Sequence, residues 1–239
     1  MVFWSKMNKV KYDPREAPSY GILEAAHYLN IPKATLRSWV LGRNYPTNHG
    51  AQSFRPLLTI ADEKHKLLSF INLVEAHVLA AIRRKHNIEL PKIRSALEYT
   101  QSKLGVARPL AEQQFETDGV NLFVEKLGEL ISVSENGQHA MRAILITHLK
   151  RIERDPRGVP IKLFPFTRST RNNDERQAIV IDPSISFGRP SLSNTGIPTA
   201  ILAERYKAGD SIDSLAEDYG ARRDAIEEAI RCELELKAA

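Results

Sequence analysis

One cysteine, Cys232, stands in a chain of 239 residues, so no internal disulfide can form. A lone thiol without clustered histidines cannot build a zinc site either. The seven histidines (27, 49, 65, 77, 86, 139 and 148) are scattered, with no HExxH, HxH or CxxC, and no metal ion is expected. Nowhere does an apolar run approach the roughly 20 residues that a membrane span needs. The N-terminal MVFWSKMNKVKYDPRE interrupts its few apolar residues with lysines and lacks a signal-peptide core, so a cytoplasmic protein without membrane contact is expected. Phosphate loops of the forms GxxxxGK[ST] and GxGxxG are missing, as is GxSxG, and the carboxylates are dispersed along helical faces. Neither an enzyme nor a cofactor is therefore expected.

What the chain does have is apolar content of 42% and charged content of 26%, enough for one large or two modest globular domains. Net charge is +5, unevenly spread. Residues 1–60 carry eight Lys and Arg against three Asp and Glu, whereas residues 199–239 carry six against ten. A basic N-terminal part facing a polyanion, and a C-terminal part with no such need, fit this asymmetry.

Periodicity and breakers predict a mainly α protein with a small β element, in four segments. Residues 1–100 hold two short helices (about 22–29 and 33–40), a Gly/Pro/Asn-rich loop or short hairpin at 42–56, a long helix from Asp62 to Asn87 opened by a capping-box-like Thr59…Asp62, and a helix started by Pro91. The long helix would suit pairing of two copies across a two-fold axis. Residues 101–166 form a middle region, read as a β-hairpin over Leu122–Val124 and Leu130–Val133, with turn signals at Leu127-Gly128 and Asn136-Gly137, followed by a helix from about Gln138 to Arg154. Residues 167–178 are a polar linker, and 179–239 a C-terminal module of three short helices.

The stretch YGILEAAHYLNIPKATLRSWV (20–40) gathers Leu23, Ala26, Leu29, Ile31, Leu36, Trp39 and Val40 into a miniature core, provided the chain turns sharply between Leu29 and Lys33. Asn30 tolerates the left-handed backbone that such a turn needs, and Pro32 forbids the first helix from continuing. The second helix then offers Lys33, Thr35, Arg37 and Ser38, with nothing acidic among them, to phosphates and base edges. The spacing E-A-A-x-x-L-N-I-x-x-x-T-L-R-x-W resembles the helix-turn-helix of the MerR family, over roughly residues 20–58. That resemblance implies a second helix in the DNA major groove, with Trp packed beneath it and a β-wing gripping the backbone through Arg43 and Arg55; Tyr20 joins the expected DNA contacts. Three departures are visible: Gly21 replaces the usual helix-starting hydroxyl, Pro32 replaces the second cap, and the wing lacks the family's R-x-Y pattern.

At the other end, Gly188-Arg189-Pro190, Thr195-Gly196-Ile197-Pro198, Ala208-Gly209 and Glu217-Asp218-Tyr219 fall in order over fifty residues. This pattern resembles a small bacterial domain of antitoxins encoded beside PIN-like ribonucleases. Joined to a MerR-like reader, it is similar to the larger VapB-type antitoxins. The resemblance implies a chain that binds operator DNA, neutralises a PIN-like toxin protein, represses its own operon, and assembles as a homodimer or a larger hetero-oligomer with the toxin. A free-standing MerR-like regulator without a toxin is the alternative. On charge grounds the partner contacts are expected at Arg168, Arg171 and Arg176 of the linker and at Arg189. The exposed acids of the C-terminal helices, among them Asp210, Asp213, Glu217, Asp218, Glu227 and Glu228, favour a protein partner over phosphate there.

Overall fold

The sharp reversal that the sequence demands is made at Asn30, whose φ of 51° is left-handed. The computed structural model describes residues 13–47, 50–86, 88–167 and 177–234. Helix α1 (Ile22–Tyr28) ends as Ile31 N–H bonds back to the Ala26 carbonyl and Asn30 N–H to that of His27, a Schellman-type stop. Helix α2 (Lys33–Leu41) starts at once behind Pro32, whose carbonyl accepts from the Thr35 and Leu36 amides. At its own start α1 lacks a capping hydroxyl, but Glu24 supplies half a box by accepting from the Gly21 amide at 3.3 Å. Ala25, Ala26, Leu29, Ile31, Leu36, Trp39 and Val40 are buried between the two helices. Leu23, expected in that core, is 57% exposed, because it lies on the side of α1 opposite the buried Ala25.

Strands β2 (Arg43–Thr47) and β3 (Gly50–Phe54) form an antiparallel hairpin in the expected wing position, with Arg43 opposite Phe54. The chain then returns through a turn to β4 (Leu67–Leu68), which pairs with β1 (Tyr20–Gly21). The long helix begins only afterwards: α3 spans Phe70–His86 rather than starting at Asp62. Asp62 spends its carboxylate on a turn, accepting from the His65 amide at 2.9 Å. The working cap is Ser69, whose hydroxyl accepts from the Asn72 amide while Asn72 Oδ1 accepts from the Ser69 amide. Every residue from Phe70 to Ile82 is buried, so this part of α3 is packed within the chain rather than presented for pairing with a second copy.

Helix α4 (Leu90–Leu104), with Pro91 in its first turn, ends at left-handed Gly105. The middle region is helical where a hairpin was expected: α5 spans Val120–Ile131 and α6 Glu135–Leu149. Val120, Phe123, Val124, Leu127 and Gly128 are buried at i, i+3, i+4, i+7 and i+8, a helical period that outweighs the β propensity of Val and Phe. Gly128 is no turn: a Cβ there would run into the Gln138 side chain, so the glycine permits close approach of α6. A hairpin does occur farther on, β5 (Ile152–Arg154) with β6 (Pro160–Leu163), closed by Asp155. The Asp155 carboxylate accepts from the Val159 and Arg157 amides and meets the Arg157 and Arg15 guanidinium groups, which together hold its pKa at about 2.

From β6 the Leu163 backbone pairs with Ile181, which carries the first core into the C-terminal module. There β7 (Ile179–Val180) pairs with β8 (Ser191–Leu192), and helices α7 (Thr199–Ala208), α8 (Ile212–Tyr219) and α9 (Arg223–Leu234) enclose Leu202, Leu215, Ile226, Ala229 and Ile230. The fold is mainly α with two-stranded antiparallel sheets. Among the described residues no helix is long and apolar enough to cross a membrane.

Two expectations about stability follow. Phe123→Ala should lower the unfolding free energy by about 3–5 kcal/mol, and the exposed Glu125→Ala by less than about 0.5, in urea titrations. Glu75, fully buried on α3 and bonded by Asn72 Nδ2 at 2.9 Å, has its carboxyl pushed by burial from 4.5 up to about 7. The folded chain thus keeps a proton that the unfolded chain releases, so this contribution is complete below the unfolded value and is lost as pH rises towards the folded one. Unfolding free energy should fall by up to an order of 3 kcal/mol between about pH 4.5 and about pH 8, and Glu75→Gln should flatten that fall.

Candidate nucleic-acid interface

A recognition surface needs cations and small polar groups held on something rigid. Helix α2 leaves Lys33 and Arg37 exposed and Thr35 and Ser38 half-exposed, while Leu36, Trp39 and Val40 anchor its other side. Thr35, Arg37 and Ser38 line one wall of an open groove of about 780 Å³. Gly42, Arg43 and Phe54 at the root of the wing form a second wall, and residues Ile88–Pro91 at the start of α4 a third. Four of the residues expected from the sequence to meet DNA therefore converge on one concavity, with exposed Lys33 on the helix that forms its first wall. Arg55 is exposed just beyond β3.

Contacts on both sides tie the root of the wing to the helices around it. The Trp39 carbonyl accepts from the Leu57 amide at 2.7 Å and from the Leu58 amide at 3.1 Å. Gly42, at φ 69°, lies so close to the Phe54 carbonyl that any Cβ would overlap it. On the far side, the Arg94 guanidinium of α4 donates to the carbonyls of Arg55 and Pro56 and sits 5.0 Å from the centre of the Phe54 ring. Sequence reading missed this contribution of α4, since nothing in the spacing of Glu89 to Arg94 points back to a loop some forty residues earlier. Glu89, at the N-cap of α4, is the one acid among the described residues lining the groove, and it pairs with Lys92 at 3.6 Å.

Tyr20 is not on this surface. Only 2% exposed, it donates its hydroxyl to the Gly188 carbonyl at 3.0 Å, and burial holds its phenol above the usual ionisation range, so the donated proton stays in place. Gly188, at φ 74°, has no room for a Cβ against that hydroxyl. Its neighbour Arg189, expected to meet a partner, is instead engaged within the chain: the guanidinium pairs with Glu24 and donates to the Tyr28 hydroxyl at 3.3 Å. The Gly-Arg-Pro element thus docks the C-terminal module onto α1. Arg168, Arg171 and Arg176 lie outside the described residues.

The acidic C-terminal surface is also less free than its composition implied. Arg205 pairs with Asp210 and Asp218, each at 2.6 Å, and Arg223 with Asp213 at 2.7 Å and Glu227 at 3.1 Å. Glu228 is buried, bonded to Thr167 and paired with Arg231. Among the described residues no three His, Cys, Asp or Glu side chains gather as a metal ion would require.

With this geometry in view, residues 18–97 match the family described as “Putative DNA-binding HTH domain”. Residues 179–231 match “Protein of unknown function (DUF433)”. The chain is 28% identical over 231 residues to a Mycobacterium tuberculosis protein named “Putative antitoxin VapB45”, covering 90% of this chain and 93% of that one. It is 22% identical to “Uncharacterized protein Rv2308” of the same organism, over 88% of each. The crystal structure of Rv2018, also from M. tuberculosis, superposes with a TM-score of 0.64 at 23% identity, over 90% of this chain and 98% of that chain. The likeness to a VapB-type antitoxin with an N-terminal helix-turn-helix thus runs through nearly the whole chain.

Removing the buried hydroxyl separates the two roles considered for Tyr20. Tyr20→Phe should cost about 1–3 kcal/mol by leaving the Gly188 carbonyl unpaired. DNA affinity and its salt dependence, measured by fluorescence anisotropy below the melting range, should stay at the wild-type values.

Proposed function

We propose that this chain, similar over 90% of its length to a protein named a putative antitoxin and matching a helix-turn-helix family at its N-terminal end, is the DNA-binding antitoxin of a toxin–antitoxin pair, acting in the cytoplasm as its own operon's repressor. The observation that carries the DNA half is the groove in which α2 and the wing bring Thr35, Arg37, Ser38 and Arg43 together over a rigid floor. Lys33, Arg37, Arg43 and Arg55 supply the charge that holds phosphates and fixes register, while Thr35 and Ser38 are short enough to reach base edges. Such a reader binds by releasing counterions, so its affinity falls steeply with salt.

The antitoxin half rests on the relative at 28% identity and on the C-terminal match. In this reading the segment 167–178 links a DNA-bound body (1–166) to the module 179–239, and its Arg168, Arg171 and Arg176 meet carboxylates of a PIN-like ribonuclease, for which the planar guanidinium is the fitting partner. Two copies on one operator would place two recognition helices about one helical turn apart. Their contact would use a surface other than Phe70–Ile82 of α3, which is spent on the core.

Gel-shift and anisotropy measurements with the DNA immediately upstream of the gene test the repressor half: salt-sensitive binding is expected, and Arg37→Ala should weaken it on all sequences and shallow the salt slope by about one. Co-expression with the neighbouring open reading frame tests the other half. Co-purification with loss of that neighbour's ribonuclease activity is expected; a neighbour that neither co-purifies nor is inhibited leaves a lone regulator.

A further inference from the structure

The wing is a hairpin of five-residue strands, and among the described residues β2–β3 pairs with no other strand. A hairpin alone is marginal in water, so its position relative to α2 depends on what holds its root. On one side that is the end of α2, through the Trp39 carbonyl and the tight passage at Gly42. On the other it is Arg94, which comes from α4, whose Ile93, Ala96 and Leu97 are fixed in the main core.

Arg94 is suited to this by shape. Its guanidinium meets two consecutive carbonyls, Arg55 and Pro56, where the chain leaves β3, and lies over the ring of Phe54, the last residue of that strand. A planar cation can satisfy carbonyls and stack on a ring at once, which an ammonium cannot. Both carbonyls belong to the segment that carries Arg55, and Phe54 lines the groove. We propose that Arg94 is a positioning residue for nucleic-acid binding: it braces the wing against α4 and so sets the spacing between the cations of α2 and those of the wing. It acts through Phe54 and the residue 55–56 backbone, without touching DNA. The inference rests on the DNA-binding reading above for its consequence, and on the geometry alone for the brace.

The test uses the full chain with Arg94→Ala, Arg94→Lys and Arg37→Ala, on duplexes of about 30 base pairs tiled through the DNA upstream of the gene and on one mixed-sequence duplex, a length that spans two half-sites one turn apart. Amide exchange over β2 and β3 is followed in the absence of DNA. Arg94→Ala should weaken binding about tenfold with the wild-type salt slope, since no phosphate contact is lost. It should also speed exchange in the wing while leaving α3 protected, and Arg94→Lys should recover only part of either effect. A salt slope shallower by about one, as expected for Arg37→Ala, would make Arg94 a direct phosphate contact and overturn the proposal. Unchanged affinity and exchange would overturn it as well. If the wild-type chain bound none of the duplexes, the DNA reading would fail, and the exchange of the wing amides would still decide for or against the brace.

Discussion

A helix buried on every side must be wrapped on every side, and that requirement organises the first two-thirds of this chain. From Phe70 to Ile82 every residue of α3 is buried. Its start is covered by the β1–β4 ladder that brings in the helix-turn-helix, with Ser19 and Arg15 bonding to Leu68 and Ile71. Its flank is covered by α6 and by the strands that follow, where the His77 ring meets the His148 carbonyl and stacks on Phe166. Even its polar residues answer to this: Asn72 bridges Thr59, Ala61, Ser69 and Glu75, satisfying groups that would otherwise be buried without partners. The DNA-facing module is therefore not a bead on a string. It is one wall of the main core.

The second attachment is smaller and more specific. Gly188 and Arg189 reach back across the sequence to Tyr20, Glu24 and Tyr28, so the C-terminal module is fastened to the first helix of the reader. His27 and Glu233, 4.0 Å apart, lie along the same seam. This explains why a Gly-Arg-Pro element can be so short: glycine is required by the Tyr20 hydroxyl, arginine by the carboxylate of α1, and each acts on a group already fixed by the core.

Much of this is legible in the sequence, for reasons that differ by element. The reversal at Asn30 and Pro32, the exposed cations of α2 and the three C-terminal helices follow from local chemistry, and they stand where local chemistry put them. The middle region misled because Val, Phe and Ile favour strands in isolation, while their spacing over 120–131 favours a helix packed on its neighbours. Gly128 was read as punctuation and proves to be a contact surface. Asp62 and Thr59 resemble a helix start, but Ser69 and Asn72 do that work, and only the pairing of Leu67–Leu68 with Tyr20–Gly21 decides between them. Tyr20 and Arg189 were assigned outward because each is a plausible contact residue. The partners they meet within the chain lie 168 and 161 residues away in sequence, beyond the reach of any spacing argument.

The wing's root has a consequence for the kind of DNA such a surface can accept. If Trp39, Gly42 and Arg94 brace the hairpin as proposed, helix and wing act as a caliper of set width. A caliper does not adjust to the duplex, so the duplex must adjust to it, and the cost of that adjustment depends on how readily each base step deforms. Sequence would then be sensed partly through flexibility, at positions where no side chain arrives.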